Sequence, residues 1–213
     1  IIERFDKIKF NIISAKPDHI VNIIAVSKTF PLDHVYPLIN HGHQHFGENK
    51  VQEAISKWSK LNAENENIKL HIRGKLKNNK AKDAVKLFDY VHSLDSKKLA
   101  DNLAKHEKNL NKNLKYFIQV NVGNEIQKSG IPVGEVDPFY NYCKNEIKLN
   151  ILGLMVIPPN DNYTEKYFKS LNELNKSLAL QDLSMGMSAD YMQAINYGAT
   201  FVRIGSSIFG LRS

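Results

Sequence analysis

The sequence predicts an α/β fold of the closed (β/α)8 kind, a TIM barrel. Short β-branched runs alternate with longer stretches of helical period, the signature of a parallel sheet crossed by helices. Eight such units follow one another across 213 residues, at the compact end of the roughly 250 usual for this barrel. An open doubly wound sheet would require a glycine fingerprint after its first strand, and the corresponding stretch, AVSKTFP at 25–31, has no glycine.

The chain opens on IIERFDKIKF, an amphipathic helix rather than a signal peptide. Strands are predicted at 21–27, 43–46, 69–72, 90–94, 115–121, 151–156, 183–185 and 201–204. Helices are predicted at 32–40, 49–61, 79–87, 96–109, 133–145, 162–179 and 189–197, with a short last one beginning at Ser206. Ser96 stands before KKLADNLAKH and Asp161-Asn162 before YTEKYFKSLNELNKSL, residue types that cap helix starts.

No Pro/Gly/Ser-rich linker or charge block divides the chain, so 1–213 reads as a single domain. Hydrophobic residues at 42% and charged residues at 24% are ordinary globular values. No run approaches the roughly 18 uninterrupted apolar residues of a membrane span, and the expectation is a soluble, cytoplasmic protein. Cys143 is the only cysteine and has no Cys or His partners at zinc spacing, so no disulfide or metal site is expected. The net charge of +7 suits a protein that holds a small phosphate. Lysines and asparagines are scattered along the whole chain, as on solvated faces, and no nucleic-acid partner is expected.

In such a barrel the chemistry sits at the C-terminal ends of the strands. Lys28 follows the first strand, where partial desolvation disfavours the ammonium and supplies the neutral amine that an aldehyde requires. The alternative is a lysine that snorkels at a strand end. In GATFVRIGSSIFGLR, 198–212, the last strand delivers Arg203, then Gly205-Ser206 and a short helix. Gly205 lets a ligand approach the backbone, and the amides at Ser206 and Ser207 favour an anion there. In LSMGMSADYMQAI, 183–195, Ser188 is expected as the N-cap of the next helix and as a second hydroxyl near the same anion. Arg203, inside the last strand, points either into the barrel lumen or outward, and its plain structural reading is a partner for a buried carboxylate. HIRGKLKNNKAK, 71–82, reads as a solvated basic loop, and HGHQHF, 41–46, as a strand edge whose histidines are weak metal candidates.

Together AVSKTFP, HFGENKVQEAISKW, GKLKNNK, GLMVIPP, LSMGMSADYMQAINYGAT and VRIGSSIFG resemble the pyridoxal phosphate homeostasis protein family (YggS/PROSC), in order and at family-like spacing from about Val21 to Arg212. The resemblance implies the barrel of the fold-type III, alanine-racemase-like proteins. It implies pyridoxal 5′-phosphate (PLP) as cofactor, with Lys28 as its Schiff-base partner. Ser188, Gly205 and Ser206 would hold the phosphate, and Arg203 would face the pyridine nitrogen. Asn49 would line the pocket and Met155 would lie beneath the ring. Where the family's third-strand motif reads His-Phe-Ile-Gly, then Leu-Gln and Asn-Lys, this chain has His71-Ile72-Arg73-Gly74, then Leu76-Lys77 and Asn79-Lys80. Arg73 and Lys77 thus add positive charge at the barrel mouth.

A guanidinium at the pyridine nitrogen disfavours its protonation and weakens the ring as an electron sink. The expectation is a barrel without the C-terminal β-domain with which related racemases complete their site. The expected function is therefore a monomeric PLP-binding protein that buffers or delivers the cofactor, with apo PLP-dependent enzymes as partners and little or no catalysis. The first alternative is a PLP-dependent amino-acid racemase. The second is a lysine aldolase that uses the same phosphate site without PLP and is colourless.

Overall fold

The computed structural model describes residues 1–64, 66–123 and 129–210. The end of the 198–212 motif, 211–212, lies outside the described residues. Helix α1 (Ile2–Ser14) buries Phe5, Ile8 and Ile12 and is tied to the far end of the chain by Arg4, whose Nε donates to the Ile208 carbonyl at 2.8 Å. The strands follow: β1 (Asn22–Val26), β2 (His45–Glu48), β3 (Lys69–Ile72), β4 (Tyr90–Leu94), β5 (Lys115–Asn121), the two-residue β6 (Ile131–Pro132), β7 (Asn150–Met155), β8 (Asp182–Met187) and β9 (Phe201–Ile204). All pair in parallel, in the order β4-β3-β2-β1-β9-β8-β7-β5, and β4 also pairs with β5, which closes the barrel. β6 hangs on the outer end of β5.

Between the strands run α2 (Leu32–Asn40), α3 (Val51–Glu64), α4 (Ala81–Leu87), α5 (Lys97–Leu110), α6 (Val136–Asn141), α7 (Thr164–Ser177), α8 (Tyr191–Asn196) and α9 (Ser206–Phe209). β3, β4, β5 and β9 coincide with their predicted spans. β2 runs 45–48 rather than 43–46, because its ladder to β3 begins at His45↔Lys69, and the His43 ring turns back on the His45 carbonyl at 2.8 Å. The predicted helix at 133–145 is a 3-10 turn, α6 and then a π turn over Tyr142–Glu146. That wide turn buries Cys143.

Ser96 caps α5 as expected, accepting from the Leu99 amide at 3.4 Å. Ser188 does not cap α8: the N-cap position is Asp190, whose carboxylate accepts from the Met187 amide at 2.6 Å. β8 bends sharply into this loop at Gly186, whose φ of 89° is open to glycine alone at low cost, and whose added Cβ would meet Ala194 Cβ at 2.6 Å.

The core has two parts. Between sheet and helices lies the larger apolar layer, with Phe46, Trp58, Tyr116 and Phe168 fully buried; each such side chain contributes about 2–3 kcal/mol of transfer free energy. Inside the barrel, Ile24, Val26, Tyr90, Phe117, Met155 and Phe201 form a small separate cluster. The lumen also carries buried polar side chains, His71, His92, Ser184 and Arg203. A residue of alternate parity on each strand must point inward, and here those positions mix apolar and polar types.

Candidate functional site

β1 ends at Val26, and the two residues after it are held from below. The buried Ser27 donates its hydroxyl to Glu48 Oε1 at 2.8 Å, and its amide donates to the Gly47 carbonyl at 3.0 Å. Glu48 Oε1 also accepts from Lys57 Nζ at 2.8 Å and Trp58 Nε1 at 2.9 Å. Lys57 Nζ reaches the Ser27 carbonyl as well, at 2.7 Å. Burial pushes the Lys57 ammonium below its ordinary value, against the opposing pull of Glu48. Immediately beyond Lys28, Thr29 adopts a φ of 70°, a strained state for a β-branched residue that persists only where the surroundings impose it. Lys28 is therefore displayed by a stiff mount. The sequence reading missed that mount, although FGENKVQEAISKW places Lys57 and Trp58 two to three helical turns after Glu48, where α3 folds back over the strand end.

Lys28 opens onto a cavity of about 590 Å³ at the C-terminal face of the barrel. Val26, Lys28 and Phe30 form one wall, Arg73 another, Met187 to Ala189 a third, and Arg203, Gly205 and Ser206 the fourth. Three cations thus face one volume, which suits a ligand carrying more than one negative charge.

Arg203 is buried in the lumen, and among the described residues it makes no ion pair with a carboxylate, Asp190 acting on it only from a distance. Its Nη1 donates to Ser184 Oγ at 2.8 Å and its Nη2 to the Val156 carbonyl at 2.7 Å. Burial, then the nearby Arg73, push its guanidinium down to about 9. Its Nε–H is buried with no partner among the described residues. Nη1 and Nη2 each make one of their two possible bonds to protein, so the guanidinium keeps N–H donors in reserve beside the cavity that Arg203 lines, for a ligand group such as an aromatic ring nitrogen.

Ser188 accepts from the Gly205 amide at 3.3 Å and the Ser207 amide at 3.4 Å. The expectation placed an anion on the amides of Ser206 and Ser207; the converging pair is Gly205 and Ser207, with Ser206 on the cavity wall. At Gly205 the absence of a Cβ also serves packing, since an added one would sit 3.3 Å from the Val26 carbonyl.

The structure therefore brings Lys28, Ser188, Arg203, Gly205 and Ser206 to one cavity. Asn49 and Met155 are not on its wall. Asn49 has its backbone against Gly74 and a buried Oδ1 with no partner among the described residues. Met155 is in the lumen cluster with Val26, one layer below. Arg73, expected from the sequence to add positive charge at the barrel mouth but not named as a ligand-holding residue, is on the wall. A resident amine, an unspent N–H and a hydroxyl with two amides fit an aldehyde-bearing aromatic phosphate. Lys75, Lys77 and Lys82 of the basic loop are exposed.

The three histidines of HGHQHF do not converge: His41 pairs with Asp6 at 3.0 Å, His43 with the His45 carbonyl, and His45 with His71 at 2.9 Å. Among the described residues no group of three or more His, Cys, Asp or Glu is placed to hold a metal ion. Among them no helix is long and apolar enough to cross a membrane.

The family model for the alanine racemase N-terminal domain matches residues 5–213. The pyridoxal phosphate homeostasis protein of Pasteurella multocida is 38% identical over 207 residues, covering 92% of this chain and 89% of its own. That of Aquifex aeolicus is 36% identical over 208 residues, covering 93% and 90%. Among solved structures, PipY of Synechococcus elongatus with PLP bound superposes with a TM-score of 0.87 at 32% identity, covering 98% of this chain and 99% of its own. An alanine racemase of Clostridium difficile shares the fold at a TM-score of 0.71 and 15% identity, over 55% of its length.

Proposed function

We propose, from the premise that this chain belongs to the pyridoxal phosphate homeostasis protein family within the alanine racemase N-terminal domain family, that it binds PLP and buffers or delivers it. When bound, PLP supplies an aldehyde open to an amine and a doubly anionic phosphate. The observation that carries the reading is the meeting of Lys28 and Arg203, whose guanidinium keeps N–H donors without partners among the described residues, on the wall of one cavity.

Each residue then has a task. Lys28, mounted on the Ser27–Glu48–Lys57 network, supplies the amine that retains the aldehyde. Ser188 and the amides of Gly205 and Ser207 form the phosphate seat, with Ser206 beside it. Arg203 donates to the ring nitrogen and, being a cation, keeps that nitrogen unprotonated, which limits carbanion chemistry and favours storage over turnover. Arg73 adds charge for the phosphate or the phenolic oxygen. Asn49 and Met155 support the pocket from behind and beneath. We carry with this reading a monomer in the cytoplasm that hands PLP to apo enzymes.

The test is to add PLP to the purified protein, record the visible absorbance, reduce with borohydride and map the modified peptide by mass spectrometry. Cofactor fixed on Lys28 in the wild type, and lost in Lys28→Ala, supports the reading. A colourless protein, or label spread over surface lysines, overturns it.

A further inference from the structure

The lumen beneath the cavity carries a polar column that the proposed function leaves unused. His45 on β2, His71 on β3 and His92 on β4 are joined nitrogen to nitrogen. His45 Nδ1 lies 2.9 Å from His71 Nε2, His71 Nδ1 lies 2.9 Å from His92 Nε2, and His92 Nδ1 lies 2.8 Å from Ser184 Oγ. Ser184 is the residue that receives Arg203 Nη1. The column starts at the half-buried His45, on the wall of a separate cavity at the N-terminal face, and ends on the guanidinium at the C-terminal one.

Donor counting fixes its polarity. A neutral imidazole has one N–H and one bare nitrogen, and arginine only donates. The groups that face the column are cationic or neutral. Lys115 and Lys69 act on His45, His43 and Lys115 on His71, and Arg203 and Arg73 on His92, each after burial itself. Tyr90 stacks on His71, Phe117 stacks on His92, and Lys9 lines the cavity below. All three imidazoles are therefore neutral at neutral pH.

Ser184 accepts from Arg203. If His92 also donated to it, the Ser184 hydroxyl proton would have no acceptor, since its oxygen has no other partner among the described residues. A buried hydroxyl left unspent costs about 1–3 kcal/mol. The arrangement that uses every group runs one way: Ser184 Oγ–H to His92 Nδ1, His92 Nε2–H to His71 Nδ1, His71 Nε2–H to His45 Nδ1, and His45 Nε2–H toward the N-terminal cavity.

We propose that Ser184, His92, His71 and His45 form a positioning relay for Arg203, with all three imidazoles as Nε2–H tautomers that donate away from it. The relay turns the Ser184 lone pairs to Nη1 and so fixes the orientation of the guanidinium beside the cavity that Arg203 lines. Acid reverses it. One added proton ends as charge on His45, the least buried member, while each hydrogen steps across its own bond from Ser184 to His92, His92 to His71 and His71 to His45. The added proton replaces the one that Ser184 gives up, and Ser184 now faces two donors. This inference concerns the empty protein and does not depend on PLP.

The experiment is long-range ¹H–¹⁵N correlation on histidine- and arginine-labelled protein without cofactor, assigned with His45→Gln and Ser184→Thr variants. The relay requires three Nε2–H tautomers at neutral pH. It also requires a joint shift of His71 and His92 to Nδ1–H as His45 becomes charged, below its ordinary value of about 6.5. The Arg203 Nε–H signal must move with them. His45→Gln, whose amide oxygen still accepts from His71, keeps the neutral polarity and loses the acid shift. Ser184→Thr keeps both. Any Nδ1–H tautomer among the three at neutral pH, a His45 that titrates while His71 and His92 stay unchanged, or an acid shift that survives His45→Gln would overturn the proposal.

Discussion

Lys57 donates its ammonium to the Ser27 carbonyl across 2.7 Å and to Glu48 across 2.8 Å, so helix α3 grips the peptide that immediately precedes Lys28. The Glu48 side chain is only 2% exposed. Breaking a buried pair from one side leaves an uncompensated charge, at a cost of about 3–5 kcal/mol. Lys57→Met is therefore expected to lower stability by about 3 kcal/mol, read from urea unfolding. Adding Glu48→Gln to the same chain should recover part of that loss. Equal losses in the single and double variants would show that the pair is not coupled.

Arg203→Met removes the donors to Ser184 and the Val156 carbonyl in a site without solvent. The orphaned acceptors set an expected loss of about 2 kcal/mol in the empty protein, measured by thermal or urea unfolding. Arg203→Lys should recover little, because an ammonium cannot reproduce the fork that spans both acceptors.

Gly205→Ala places a Cβ 3.3 Å from the Val26 carbonyl at the start of α9. A shift of a few tenths of an ångström there moves the Gly205 and Ser207 amides together. PLP affinity is expected to fall about tenfold, or about 1.4 kcal/mol, in a fluorescence titration, with the fold retained by circular dichroism. Unchanged affinity would remove these amides from the phosphate seat.

His43 ties acid sensitivity to the N-terminal face. Burial pushes it from 6.5 down to about 4. Between those values the unfolded chain holds a proton that the folded chain refuses, so stability falls as the pH drops through that window and is fully present above it. His43→Gln should flatten the decline of unfolding free energy between about pH 6.5 and pH 4 by roughly 3 kcal/mol. His45, His71 and His92, lowered for the same first cause, add slope of the same sign, while Asp95 and Glu107, raised by burial, oppose it.

Elements whose pattern is set by burial alone were legible in the chain. YVHSL at β4 is buried on every residue, and its run of strand formers marks both ends. Lys28, Ser188, Arg203 and Gly205 were legible because barrel geometry sends strand ends to one face. Partnerships formed across the lumen were not. His71 and His92 lie 21 residues apart and Ser184 another 92 beyond, and no local spacing announces that closure of the sheet stacks them. HGHQHF drew attention to the right region for the wrong reason: only His45 of its three histidines turns inward to the column, while His43 turns on its own backbone. Only the N-cap reading of Ser188 failed, because a serine before a helix is ordinarily a cap, and here the longer-range amides of Gly205 and Ser207 outcompete the local ones.

The bond from those two amides to Ser188 bears on how a carrier rests between loads. A site shaped only by its cargo would be left with bare donors each time the cargo departs, and would sag or recruit whatever anion came next. Here a hydroxyl from the neighbouring loop already occupies the donors. On the reading proposed above, the vacated seat is a finished piece of structure, and arrival of a phosphate exchanges one set of acceptors for another. Loading and unloading can then proceed as a swap of partners at a fixed address, without remaking the fold at either step.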